Sequence, residues 1–149
     1  MNDLRGKIVL ITGGSKGLGA SIARQFAGYG ANIAFTYSHD DATAQNMIKE
    51  IEKTGSHCIA IKADASDFTL AHKVIDEVIT GLGNLHILIC NAGFSRGSAL
   101  LWKLNESDWD DVVNVSLKGS FNYIHAASPH FIGQKYLSLI HISEPTRPY

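Results

Sequence analysis

The stretch Lys7-Ile8-Val9-Leu10-Ile11-Thr12-Gly13-Gly14-Ser15-Lys16-Gly17-Leu18-Gly19 decides the fold. A short β-branched apolar run leads straight into a glycine-rich loop, and Leu18, Ile22, Phe26 and Tyr29 then recur every three or four residues up to Gly30. This reads as a strand, a tight turn and a helix stopped by a C′ glycine. Glycines in the turn let backbone N–H groups approach a pyrophosphate, and the helix N-terminus behind them offers about half a positive charge. That context is the one a dinucleotide loop requires, although the spacing is G-x-x-x-G-x-G and not G-x-G-x-x-G. Lys16 is followed by Gly17 rather than Ser or Thr, so the loop is not a Walker A loop. A glycine-rich turn without a ligand is the plain alternative, and the strand before it and the helix after it weigh against that.

Working outward, Asn32 to Tyr37, Ser56 to Ala63 and Leu85 to Cys90 are further apolar runs, nearly continuous rather than alternating, as strands buried on both faces should be. Ala44, Met47, Ile48 and Ile51 form a second helical stripe and Ala71, Val74, Ile75 and Val78 a third. The order β-α-β-α-β-α-β predicts parallel strands joined by right-handed helical crossovers, with helices on both faces. A loop from Gly93 to Leu101 follows, then a long helix from about Glu106 to His130, with Asn105 as N-cap and Asp108 as its box-like partner. Trp102 and Trp109 read as packing residues.

The chain has 149 residues, 45% of them hydrophobic, which is enough for one core. With 13 basic against 14 acidic residues there is no positive field to hold nucleic acid or an anionic membrane. Met1-Asn2-Asp3-Leu4-Arg5 carries an acid before a short apolar run, unlike a signal peptide or a span of the roughly 20 apolar residues a bilayer needs. Cys58 and Cys90 form no Cys-x-x-Cys, which suits a reducing compartment and argues against a disulfide scaffold or zinc site; the expectation is a cytoplasmic chain. The seven histidines show no ligand spacing, so no metal is expected. A doubly wound sheet of six strands at roughly 30 residues per strand and helix needs about 180 residues. This chain is shorter.

Thr12-Gly13-x-x-x-Gly17-x-Gly19 resembles the cofactor motif of the classical short-chain dehydrogenase/reductase family, and Asn91-Ala92-Gly93 at the end of the fourth strand resembles its second signature. The resemblance implies a Rossmann fold of which this chain carries strands one to four and the long helix. It implies that Thr12, Gly13, Ser15, Lys16, Gly17, Leu18 and Gly19 in the loop bind a cofactor. It implies the same of Tyr37 and Ser38 after the second strand, Asp64 and Ala65 after the third, and Asn91, Ala92 and Gly93 after the fourth. Asn114, within Val112-Val113-Asn114-Val115-Ser116-Leu117-Lys118-Gly119, falls where the family's catalytic asparagine perturbs the helix ladder and holds a water for proton relay. Two bland readings stay open: Asp64 as a cap for the turn before the third helix, and Asn114 as a solvent-facing polar residue.

An NAD enzyme ordinarily offers an acid about 20 residues past the loop to accept from the ribose 2′-OH. Here the strand ends Thr36-Tyr37-Ser38, with Lys16 in the neighbouring loop to attract a 2′-phosphate. Asp40 and Asp41 read as the N-cap and first turn of the second helix. NADP(H) is therefore expected over NAD(H).

The family's chemistry is hydride transfer between nicotinamide and a carbonyl or alcohol carbon, with a tyrosine delivering the proton and a lysine four residues later lowering its pKa. The residues four past Tyr29, Tyr37, Tyr123 and Tyr136 are Ile33, Asp41, Ala127 and Ile140, and Tyr149 is last, so no Tyr-x-x-x-Lys is present. The resemblance is nearest to β-ketoacyl-acyl-carrier-protein reductases, through the second-strand ending and the Asn114 helix. An acyl-thioester or other small-molecule substrate and a dimeric or tetrameric intact parent follow from it. Another alcohol or ketone, such as a sugar or steroid, is the alternative substrate, and a catalytically inactive nucleotide-binding fragment is the alternative function. Residues 1–136 read as the N-terminal part of one dinucleotide-binding domain. Residues 137–149, with Leu137-Ser138-Leu139-Ile140-His141-Ile142-Ser143-Glu144-Pro145-Thr146-Arg147, resemble an in-frame translation of transposase adapter DNA and read as a non-native tail. An authentic fifth strand from Leu137 to Ser143 is the other reading. If the sheet ends at the fourth strand, one edge of that strand is left unpaired.

Overall fold

The structure, a computed structural model, describes residues 4–95 and 100–134, and residues 138–141 by their strand pairing. The strands are β1 (Ile8–Ile11), β2 (Asn32–Tyr37), β3 (Cys58–Lys62), β4 (Ile87–Cys90) and β5 (Ser138–His141). Between them run α1 (Gly17–Gly28), α2 (Asp41–Glu52) and α3 (Phe68–Leu82); α4 (Glu106–Val113) and α5 (Gly119–Gln134) follow β4. The sheet is parallel throughout, in the order β3-β2-β1-β4-β5.

Side-chain alternation explains why each strand reads as an unbroken apolar run. Ile8, Leu10, Leu88 and Cys90 face the layer of α3 and α5, while Val9, Ile11, Ile33, Phe35 and Ile89 face α1 and α2. Both sets are buried, so neither phase of the alternation is polar. The chain steps outward from β1 to β2 and β3, then returns to the far side of β1 as β4. The loops leaving β1 and β4 therefore diverge, which opens a crevice at the carboxyl ends of the strands.

Four expectations need correction. Leu18 and Tyr29 do not face the sheet: they are 41% and 55% exposed, and the buried positions of α1 are Gly19, Ala20, Ala23 and Ala27. Small side chains bring the helix axis close to the strands, and the larger apolar residues are displaced to its flanks. The long helix runs to Gln134, and a π-helical turn, Asn114–Lys118, interrupts it. Trp102 and Trp109 are 78% and 57% exposed, in a segment where α4 buries none of its residues.

The fourth correction concerns the sheet edge. Ser138–His141 pairs in parallel with β4, with Ile87 opposite Ser138 and Cys90 opposite His141, so β4 is paired on both sides. Residues 135–137 and 142–149, including the remainder of the expected tail, lie outside the described residues. Among the described residues no helix is long and apolar enough to cross a membrane.

Candidate functional site

The glycine loop is held open from behind by polar groups of β2 and β4. The Thr12 side-chain hydroxyl accepts from the backbone N–H of both Asn91 (3.0 Å) and Ala92 (2.9 Å). The Asn91 amide donates back to the carbonyls of Thr12 (2.9 Å) and Gly13 (3.1 Å). Thr36, buried near the end of β2, accepts from Gly13 N–H on its hydroxyl (3.1 Å) and from Gly14 N–H on its carbonyl (2.9 Å). Gly19 sits where a Cβ would collide with the Gly13 carbonyl and lie 2.5 Å from the Asn91 amide nitrogen, so only glycine lets α1 pack beneath the loop.

This scaffold leaves one helix terminus unlike its neighbours. Asp40, Asp67 and Asn105 each cap their own helices, accepting from Thr43, Leu70 and Asp108 N–H respectively. At α1 the N-cap is Lys16, with no side-chain cap and no acid in the first turn. Its first-turn N–H groups are left to an external acceptor, and the helix dipole favours an anion there.

A cleft of about 1370 Å³ runs across the carboxyl ends of β1 to β4. Of the residues singled out from the sequence, Gly13, Ser15, Lys16, Gly17, Leu18, Tyr37, Ser38, Asp64, Ala65, Asn91, Ala92, Gly93 and Asn114 line it. Thr12 and Gly19 do not; they stand behind the loop and fix its shape. Asp64 accepts from the N–H (2.9 Å) and hydroxyl (2.8 Å) of Ser66, so the turn-capping reading holds while the residue also faces the cleft. The cap of α3 itself is Asp67.

Asn114 opens the π turn, and its carbonyl accepts from Gly119 N–H, five residues on. The helix ladder is thus perturbed at this asparagine, a feature often found at functional sites. Beneath the cleft, Asn122 is fully buried and donates to the Ala65 carbonyl (3.0 Å), tying α5 to the end of β3. Burial pushes the Cys90 thiol up to about 12, which makes it an inert packing group.

The rim beside β2 carries groups that the sequence reading missed. Lys62 ends β3 in register with Tyr37, and its ammonium contacts both oxygens of Asp41 at 3.1 and 3.2 Å. Tyr37 and the same carboxylate shift one another's titration. Asp41 is held below the usual carboxylate range by Lys62 first and Tyr37 second. Tyr37 is raised, first by desolvation and then by Asp41. Asp40 is also lowered, chiefly by the Thr43 side chain and N–H, with a smaller contribution from Lys16. A charge closing an apolar strand was the available signal for Lys62; Thr36 and His39 gave none, since a strand hydroxyl and a lone surface imidazole are common. Among the described residues no group of three or more His, Cys, Asp or Glu is placed to hold a metal.

A parallel doubly wound sheet with an uncapped, glycine-cradled helix terminus at its switch point defines a dinucleotide-binding α/β protein. A profile of the family described as short chain dehydrogenase matches residues 7–145, and the chain belongs to that family. It is 38% identical over 137 residues to a 3-oxoacyl-[acyl-carrier-protein] reductase FabG of Staphylococcus aureus, covering 92% of this chain and 55% of the relative. To 3beta-hydroxysteroid dehydrogenase 1 of Eggerthella lenta it is 34% identical over 139 residues, 93% of this chain and 53% of that one. A crystal structure of a short chain dehydrogenase from Burkholderia cenocepacia in complex with NADP superposes with a TM-score of 0.82 at 39% identity, over 87% of this chain and 52% of that one. The chain spans about half the length of the curated relatives it matches.

Proposed function

We propose that this chain is the cofactor-holding part of an NADP(H)-dependent oxidoreductase whose substrate in the intact protein is a 3-oxoacyl thioester. The observation that carries this is the α1 terminus: alone among α1 to α4 it has no side-chain cap, and it opens into the cleft beside Lys16. When bound, the nicotinamide exchanges a hydride with a carbonyl or alcohol carbon. The chain's own residues bind and orient. The N–H groups of the loop and α1 donate to the diphosphate oxygens, and Lys16, Tyr37 and Ser38 border the adenosine 2′ position. Asp64 and Ala65 flank the adenine, and Asn91, Ala92 and Gly93 form the floor. Asn114 holds a water on the proton path.

The FabG relative supports the thioester substrate, and the NADP complex of a 39% identical structure supports the cofactor. The 34% identical steroid dehydrogenase favours a second reading, in which the substrate is another alcohol or ketone. Without a Tyr-x-x-x-Lys pair this chain has no proton donor of the family's kind, so we propose that it binds without turnover. Cytoplasmic location and a dimeric or tetrameric parent belong to the same reading. Mixing the chain with NADPH should quench or shift the reduced-nicotinamide fluorescence, and adding an acetoacetyl thioester should leave the NADPH unoxidised. Turnover would overturn the inactive half of the proposal, and no fluorescence change would overturn the cofactor half.

We also propose that residues 1–136 belong to the native domain and 137–149 form a non-native tail. Glu144-Pro145-Thr146-Arg147 supports this; the family match through residue 145 and the pairing of Ser138–His141 with β4 weigh the other way. Parallel pairing uses backbone groups alone, so a free sheet edge accepts a short apolar stretch of either origin. Sequencing the source DNA through codon 136 decides it: continuous genomic sequence to codon 149 would remove the tail reading.

A further inference from the structure

We propose that Lys62, acting through Asp41, sets the preference for a 2′-phosphorylated dinucleotide. This rests on the dinucleotide reading above and deepens it. Two acids stand just behind the rim beyond β2: Asp40 and Asp41 do not line the cleft themselves, but Asp41 contacts Lys62 and Asp40 lies within electrostatic reach of Lys16, both of which do, so each carboxylate would repel a 2′-phosphate held there. Asp40 is occupied by its own helix, accepting from Thr43 N–H (2.8 Å) and the Thr43 hydroxyl (2.6 Å). Asp41 has no such local task. Its two oxygens are held by the Lys62 ammonium at 3.1 and 3.2 Å.

The pair is exposed, with side chains 54% and 64% accessible, so it contributes little to folding. Its effect falls on the cleft. Lys62, Tyr37, Ser38 and Lys16 all line the same rim. With Lys62 in place the Asp41 charge is balanced and its oxygens are turned to protein donors, leaving Lys16 as the cation that meets the ligand. Without Lys62, Asp41 becomes an uncompensated carboxylate beside Tyr37, able to accept from a ribose hydroxyl and to repel a phosphate. Lys62 is thus a positioning residue, and the cofactor preference reads its presence.

The test measures dissociation constants for NADPH and NADH by fluorescence titration of the full chain and of Lys62→Met, Lys62→Arg, Asp41→Asn and the Lys62→Met/Asp41→Asn double variant. Lys62→Met should cut the NADPH-over-NADH preference roughly tenfold, mostly by weakening NADPH. Lys62→Arg should keep the preference, and adding Asp41→Asn to Lys62→Met should restore most of it. An unchanged preference, an equal loss for both cofactors, or a loss that Asp41→Asn fails to recover overturns the inference while leaving dinucleotide binding intact. Wild-type chain that binds neither cofactor overturns the underlying reading, and wild-type chain that binds both alike overturns the preference that Lys62 is said to set.

Discussion

The two ends of the sheet are built to opposite rules. At the amino end, backbone donors are taken by nearby side chains: Ile8 N–H by His86 Nδ1 (3.0 Å) and Leu85 N–H by the Asn84 side-chain carbonyl (2.7 Å). His130 (2.8 Å) and the Gln134 amide (2.7 Å) converge on the same Asn84 oxygen, so α5 closes this end against the sheet. At the carboxyl end the side chains instead shape the loop and leave the N–H groups of α1 open toward the cleft. One end uses its polar groups on itself; the other holds them ready. Stability is concentrated where the fold is closed, and binding where a helix terminus is left unsatisfied.

The sharpest way to break that contrast is to disturb the loop from behind. Gly19→Ala places a methyl group against the Gly13 carbonyl and the Asn91 amide, so either the loop or the Asn91 clamp must shift. NADPH binding should be lost in fluorescence titration, and urea denaturation should show a cost of about 1–3 kcal/mol, typical of overpacking. Unimpaired binding would mean that the loop does not depend on this close approach.

How much of this was visible in the sequence follows from which interactions are local. The strands and both helical layers were legible because Val9-Leu10-Ile11 and its counterparts carry apolar residues in both phases of the alternation, and α3's stripe of Ala71, Val74, Ile75 and Val78 is buried as its period predicts. The stripe in α1 misled, because helix-to-sheet distance is set by the small residues between the large ones. Asp40 and Asn105 were legible as caps since a cap bonds within three residues. Thr36 and Lys62 were not. Their partners, Gly13 and Asp41, lie 23 and 21 residues away, brought close only by the register of β1, β2 and β3. Asn114 and a perturbed ladder at it were legible by motif, whereas the five-residue π form and its extent to Lys118 were not, because nothing in Val113-Asn114-Val115 departs from an ordinary helical pattern.

A smaller effect comes from removing a cap where one exists. Asp67→Ala deprives Leu70 N–H of its acceptor at 2.8 Å and should cost about 1 kcal/mol in urea denaturation. NADPH affinity should stay unchanged, because Asp67 faces its own helix and does not line the cleft. A loss of affinity matching the loss of stability would show that the two ends of the crossover are coupled after all.

The smallest effect lies at the amino end and depends on pH. His86 Nδ1 can accept from Ile8 N–H only while the imidazole is neutral, and burial, then Lys7, then His130 lower its pKa from the ordinary 6.5. Between that lowered value and 6.5 the unfolded chain holds a proton that the folded chain does not, so stability rises with pH there. The contribution is fully present above 6.5 and is lost as the pH falls through the folded value. Acidification from about pH 7 to about pH 5 should therefore lower the thermal midpoint of the wild-type chain. His86→Asn keeps an acceptor for Ile8 N–H without a titrating ring, so its midpoint should fall less over the same interval. Parallel curves for the two proteins would assign the acid sensitivity to other groups and remove His86 from the closure of this end.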